Sequence, residues 1–200
     1  MIKAVIFDYA GVVRPPLKGW LNDIANAYGL PVEKIKEATK PLLELFGGGM
    51  ITENQFWKQL SSVLNKPIPK NKKELLRKSY KEAFHLYAEI IILVKEIKKK
   101  GLKTAILSNT IKPHVEIAKS KKGYEDFDVV VLSCEVKLRK PEPEIYLIAV
   151  KKLKVKPTEC IFIDNEEENL VPAKKLGMTV ILAKNPKQVT KAVSKIIKEN

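Results

Sequence analysis

The sequence predicts an α/β protein, a doubly wound, mainly parallel sheet carrying a small inserted α-helical segment. Three observations predict it. Short apolar runs rich in Val and Ile recur along the chain, each ended by a polar residue, as buried parallel strands are. From about residue 88 these runs alternate with helix-period segments, the pattern of β/α crossovers with helices on both faces. Between 15 and 87 only helical periodicity is present, so this stretch cannot take part in the alternation and reads as an insertion. The expected organisation is a core formed by 1–14 and 88–200, with a helical unit over 15–87. A chain of 200 residues is long enough to bury such a core without disulfides or a structural metal.

Taken in order, 2–7 is a branched apolar run stopping at Asp8, a strand. The inserted helices are expected at 17–28, at 31–46 with Pro41 as a point of kinking, at 52–64, and at 71–84. The third follows three glycines, and its Thr52/Gln55 pair has capping-box spacing. The alternation then gives a helix at 89–100, a strand at 103–107, a helix at 113–120 and a strand at 128–132. It continues with a helix at 143–152, a strand at 160–163, a helix at 167–176, a strand at 179–182 and a closing helix at 186–198.

Composition excludes several classes of function. The apolar start ends at Asp8, far short of a membrane span and without a cleavage pattern, so a cytoplasmic protein with no membrane partner is expected. Cys134 and Cys160 both lie in apolar, strand-like runs without C-x-x-C spacing, and read as core residues in a reducing compartment. The net charge of +14 comes almost wholly from lysine, Arg14, Arg77 and Arg139 being the only arginines. Lysines recur at predicted helix ends, where they complement the helix dipole. No basic stretch is interleaved with aromatics, so no specific nucleic-acid partner is expected.

Parallel sheets place ligands beyond the carboxyl ends of their strands. There the sequence sets Asp8 after the first strand, Ser108 and Asn109 after the second, Lys140 in a loop after the third, and Asp164 and Asn165 after the fourth. Two carboxylates, a hydroxyl and an ammonium on one edge outline a site for phosphate and a hard cation such as Mg2+. Asp8 is the candidate nucleophile. Ser108 and the nearby N–H groups would hold phosphoryl oxygens, and Lys140 would neutralise charge. Glu166, Glu167 and Glu168 read first as dipole partners of the next helix, with Glu168 a reserve for acid–base or metal work. His85 and His114 read as structural, and Arg14 and Trp20 as either packing or substrate contacts.

The segments FDYAGVV, ILSNT, LRKPEPEIY and FIDNEEENLVPAKKLGM resemble, in this order, the four motifs of the haloacid dehalogenase superfamily, and the helical insertion resembles its small C1 cap. The resemblance covers nearly the whole chain. MITENQFWKQL, SNT and KPEPEIY look most like the branch holding α-D-glucose-1-phosphate phosphatases and the phosphatase domain of soluble epoxide hydrolases. It implies a Rossmannoid core and a Mg2+-dependent phosphatase of a small phosphorylated metabolite, acting through an aspartyl-phosphate on Asp8. Ser108, Asn109 and Lys140 would bind phosphate; Asp8, the Ala10 carbonyl, Asp164 and Asn165 would hold the metal. Two departures stand out. Ala10 replaces the acid two residues after the nucleophile, and Asn165 replaces a frequent second aspartate. They leave room for carbon–halogen or C–P bond hydrolysis, or for a catalytically impaired phosphate-binding relative. A monomer or homodimer is expected.

Overall fold

Strand β1 (Ala4–Phe7) is buried along its whole length. Alternate residues serve opposite faces: Val5 and Phe7 join one apolar cluster, Ala4 and Ile6 another. This two-sided burial explains why the strand is a continuous apolar run. The computed structural model describes residues 1–198, so positions 199 and 200 of the expected core segment lie outside the described residues. Beside β1 lie β2 (Lys103–Ser108) and β4 (Cys160–Asp164), flanked by β3 (Val129–Leu132) and β5 (Thr179–Leu182). The order is β3-β2-β1-β4-β5, and every pairing is parallel.

One face packs against α6 (Ala88–Lys99), α7 (Lys112–Ser120) and α11 (Pro186–Lys198), through residues such as Ile90, Val115 and Val193. The other packs against α9 (Pro143–Leu153) and α10 (Glu167–Lys175), through Tyr146, Ala149 and Ala173. The sheet is therefore doubly wound.

A third apolar cluster lies in the insertion, where α1 (Trp20–Tyr28), α2 (Val32–Gly47) and α3 (Glu53–Leu64) bury Ile24, Ile35, Phe56 and Trp57 on one another. The Thr52 capping box forms as expected. The helical assignment of α2 runs unbroken through Pro41.

Three local expectations are corrected. The segment 71–84 is two short helices, α4 (Lys72–Leu75) and α5 (Lys78–Glu82). The chain breaks at Leu76 and Arg77 because their groups are used elsewhere. The Leu76 carbonyl accepts from His114 Nε2 at 3.0 Å. The Arg77 guanidinium forks onto Glu53 at 2.9 Å and meets Glu116 at 3.3 Å. The first inserted helix starts at Trp20 rather than 17, behind Gly19 at φ +77°. Cys134 sits not in a strand but in a short helix, α8 (Ser133–Val136), because β3 stops at Leu132. Both cysteines are free, and burial pushes their thiols up, Cys134 to about 11 and Cys160 to about 12. Neither is a nucleophile at neutral pH.

Candidate active site

From β1 the chain builds the sheet outward through β2 to β3, then returns to add β4 and β5 on the other side. The order reverses between β1 and β4, and ligand sites of open α/β sheets lie at that switch point. Asp8 follows β1 directly, and the Phe7–Ile163 register sets it beside Asp164, the last residue of β4. Asp8 is 7% exposed and Asp164 fully buried, a pairing that repulsion would forbid without a counter-charge. Lys140 supplies it. Itself 3% exposed, it donates from Nζ to Asp8 Oδ1 at 2.5 Å and to Asp164 Oδ2 at 2.6 Å. Burial drives the Asp8 carboxyl up to about 6; Lys140 opposes that rise and Asp164 adds to it. Burial also works against the Lys140 ammonium, but the two carboxylates outweigh it and hold Lys140 above its ordinary value.

The neighbouring groups fix this triad. Asp164 Oδ1 accepts the Glu166 N–H at 2.9 Å, and Asn169 Nδ2 reaches both carboxylate oxygens at 3.2 Å. Asp164 is thus held by the start of α10 while facing Lys140. Asn109 clamps the Lys140 backbone, its Nδ2 donating to the Lys140 carbonyl and its Oδ1 accepting the Lys140 N–H, both at 2.9 Å. Much of the Asn109 amide expected to meet phosphate is therefore spent on aiming Lys140. Ser108, 3% exposed at the end of β2, keeps its hydroxyl free of hydrogen bonds among the described residues. Asn165 leans on Gly11, where a Cβ would stand 2.5 Å from Asn165 Oδ1 and where φ is +102°. Its Nδ2 donates to Glu166 Oε1 at 3.0 Å, while its Oδ1 is buried without a partner, as is Asn169 Oδ1.

Two adjoining cavities meet at this edge. A polar one of about 490 Å³ is walled by Asp8, Lys140, Asp164 and Asn165, with Glu44 of α2 and Glu168. An apolar one of about 220 Å³ is walled by Tyr9, Arg14, Leu17, Trp20, Tyr80 and His114. Ala10, Asn109 and Arg139 border both, so the exposed Ala10 stands where they join. Among the described residues no three His, Cys, Asp or Glu side chains gather as metal ligands. The available donors are two carboxylates with carbonyl and amide oxygens, the orphaned Asn165 Oδ1 among them. That all-oxygen set fits magnesium, which takes one or two carboxylates and fills its shell with water and phosphate oxygens, and does not fit zinc.

The sequence profile of the haloacid dehalogenase-like hydrolases matches residues 2–177. The chain belongs to the haloacid dehalogenase-like hydrolase family. Like other proteins with a haloacid dehalogenase-like fold, it matches a structure from Porphyromonas gingivalis described as a predicted HAD-like family hydrolase. The TM-score is 0.82 at 23% identity over the full length of both chains. A haloacid dehalogenase-family enzyme of Bacteroides thetaiotaomicron, crystallised with magnesium and inorganic phosphate, matches with TM-score 0.76 at 21% identity, over 92% of this chain and 96% of that one. In sequence, "Putative phosphatase YhcW" of Bacillus subtilis is 27% identical over 92% of this chain and 84% of its own length. Rat bifunctional epoxide hydrolase 2 is 33% identical over half of this chain, and that match covers 19% of the rat protein.

In this hydrolase the predicted residues Asp8, Ala10, Ser108, Asn109, Lys140, Asp164 and Asn165 all lie at one sheet edge, bordering the two cavities or the strand ends beneath them. His85 is exposed and away from both cavities. His114 lines the apolar one but stacks on Tyr80 at 4.2 Å between ring centroids, and burial lowers it to about 3, so it is neutral. Arg139, Glu44 and Tyr80 escaped the sequence reading as site residues. Arg139 adjoins Lys140 and could have been flagged as a rare arginine. Glu44 and Tyr80 carry no local signal, because only the folding-back of the insertion brings them to the edge.

Proposed function

We propose that this hydrolase is a magnesium-dependent phosphatase of a small phosphorylated metabolite, working through an aspartyl-phosphate on Asp8. The observation that carries this reading is the buried Asp8–Lys140–Asp164 triad opening onto the polar cavity, with a free Ser108 hydroxyl on the apolar cavity that adjoins it. The phosphoryl group would occupy the polar cavity where it joins the apolar one, its oxygens facing Lys140 on one side and Ser108 and the N–H groups after β2 on the other. An Asp8 carboxylate oxygen forms a bond to phosphorus as the bond to the leaving oxygen breaks. Water then attacks the same phosphorus, freeing phosphate and the Asp8 carboxylate. Lys140 keeps Asp8 ionised despite its burial and offsets the negative charge of the incoming group. Asp8, the Ala10 carbonyl, Asp164 and Asn165 would hold a magnesium ion, which neutralises phosphoryl oxygens when bound. The helices of 15–87 would act as a cap that shields the reaction from bulk water. The magnesium and phosphate in the Bacteroides relative and the phosphatase name of YhcW support this reading.

The test is release of inorganic phosphate from a panel of phosphorylated metabolites and para-nitrophenyl phosphate, with magnesium and with chelator. Magnesium-dependent release that Asp8→Asn abolishes is expected; turnover undiminished by Asp8→Asn refutes the reading. Ala10 favours one second reading, since a departing halide needs no proton donor. Chloride release from 2-chloropropionate that chelator leaves unchanged would establish it.

A further inference from the structure

Arg14 carries a guanidinium yet is only 1% exposed, the largest fully buried side chain after Trp57. Burying a cation is costly unless it is paired, because its hydration is lost. Arg14 has no carboxylate within ion-pair distance among the described residues. Its neighbours are neutral. It lies over the Tyr80 ring at 4.3 Å, near Phe84 at 5.7 Å, and beside the Tyr80 hydroxyl. Nη2 donates one long bond, 3.4 Å, to the Ala83 carbonyl, and Nε is buried with no partner at all. A guanidinium has five N–H donors, so most of this one's capacity is unused. Cation–π contact with a ring is far weaker than the lost hydration of a buried cation and does not offset it.

The place of this cation matters. Arg14 walls the apolar cavity, which adjoins the proposed phosphate cavity through Ala10 and Asn109. A phosphate ester held at Asp8 would therefore extend its leaving group toward Arg14. The cavity, about 220 Å³, falls below the 300–1,000 Å³ that drug-sized ligands need, so a nucleoside is too large and a skeleton of a few carbons fits. Beside Arg14 the cavity is walled by apolar Leu17, Trp20, Leu43 and Ile111, while its polar residues Ser108, Asn109 and Thr110 end or follow β2 and the second cation, Arg139, borders the polar cavity as well.

We propose that Arg14 is a specificity-determining residue that binds a carboxylate on the leaving group, making the substrate a short phosphorylated hydroxy acid. This rests on the phosphatase reading above. A carboxylate matches the case better than a second phosphate: its two oxygens suit the planar fork, and its single charge balances one buried guanidinium.

A matched pair tests it: 3-phosphoglycerate, and glycerol 3-phosphate, which lacks the carboxylate. The wild-type kcat/KM is expected to favour phosphoglycerate by about 10–100-fold, the scale of a buried charge-assisted contact. Arg14→Gln should bring that ratio close to one, and Arg14→Lys, keeping charge but not the fork, should fall between. Equal use of the two esters by the wild-type protein overturns the proposal, and needs no variant that folds. So does an Arg14→Gln protein that loses both in equal proportion. If para-nitrophenyl phosphate is cleaved and phosphoglycerate is not preferred, the phosphatase reading survives and Arg14's role does not. If no ester is cleaved, calorimetric titration of the wild-type protein with each compound still decides: tighter binding of phosphoglycerate supports the Arg14 contact, and equal binding overturns it.

Discussion

Ala10 is exposed where the polar and apolar cavities join, two residues beyond Asp8. A phosphate ester lying across that junction would place its scissile oxygen near a methyl group. The glutamates that border the polar cavity, Glu44, Glu142, Glu166 and Glu168, do not border the apolar one, where the leaving group would lie, and His114, which does, is neutral and carries no acidic proton to give. The leaving oxygen must then take its proton from water. Supplying a positioned carboxylic acid is worth about 10²–10⁴ in rate. Ala10→Asp should therefore raise kcat for an alkyl phosphate at least tenfold, a threshold set below the low end of that range. For para-nitrophenyl phosphate, whose leaving group needs no proton, the gain should be much smaller. Steady-state kinetics on both esters provides the check, and an equal or absent gain would show that protonation is not what Ala10 withholds. Asp8, Ser108 and Asp164 were legible because each stands at the end of an apolar strand or just after it. What was not legible is how Asn109 is used. Its clamp on Lys140 joins positions 31 apart in the chain, and no local pattern encodes it. Arg14 was visible only as a charge beyond the first motif, because its burial depends on Tyr80 and Ala83 of the insertion's far end.

At the scale of elements, the insertion is tied to the sheet edge by a buried hydroxyl. Ser133, the first residue of α8, is fully buried and donates to the Gly47 carbonyl at 2.5 Å, at the end of α2. It accepts the Thr110 N–H at 2.9 Å, in the loop that carries Asn109. Close by, Gly49 passes the chain over α8 with φ +66°, and a Cβ there would come within 2.6 Å of the Cys134 carbonyl oxygen. One side chain thus joins three segments that meet nowhere in sequence. Ser133→Ala strands the half-buried Thr110 N–H and the buried Gly47 carbonyl, which costs about 1–3 kcal/mol. A lower urea midpoint of that size is expected, and a midpoint unchanged within error would show the tie to be dispensable. The strands and the flanking helices were readable from period and punctuation. α8 was not, since four residues carry no periodicity and SCEV continues the apolar run of β3. The split of 71–84 was hidden for a related reason: Leu76 and Arg77 leave the helix for partners on α7 and α3, a tertiary demand that overrides local propensity.

For the molecule as a whole, the same packing that seats the insertion on the core sets a sensitivity to acid. His114 of α7 stacks on Tyr80 of α5, and its Nε2–H donates to the Leu76 carbonyl, so it is part of the joint between insertion and sheet. Burial is the main cause of its fall to about 3; the Leu76 bond opposes it, and the Arg14 and Arg77 charges add to it. In the unfolded chain the same imidazole titrates near its ordinary 6.5. Between those values the unfolded state binds a proton that the folded state refuses. Stability is therefore greatest above the unfolded value and is lost as pH falls from about 6.5 toward 3, by at most about 1.4 kcal/mol per unit. Asp8 acts in the opposite sense over part of this window, because its folded value is raised, so the wild-type profile alone would mix the two. His114→Gln separates them. The amide can keep the donor to Leu76 but cannot titrate, and every other ionisation is common to both proteins. Urea unfolding of each protein from pH 7 to 4.5 should show the stability of His114→Gln gaining on the wild type steadily below about pH 6.5, the pH at which free histidine takes its proton. A difference between the two that stays flat across that range would mean that His114 is protonated in the fold and that the joint tolerates a charge.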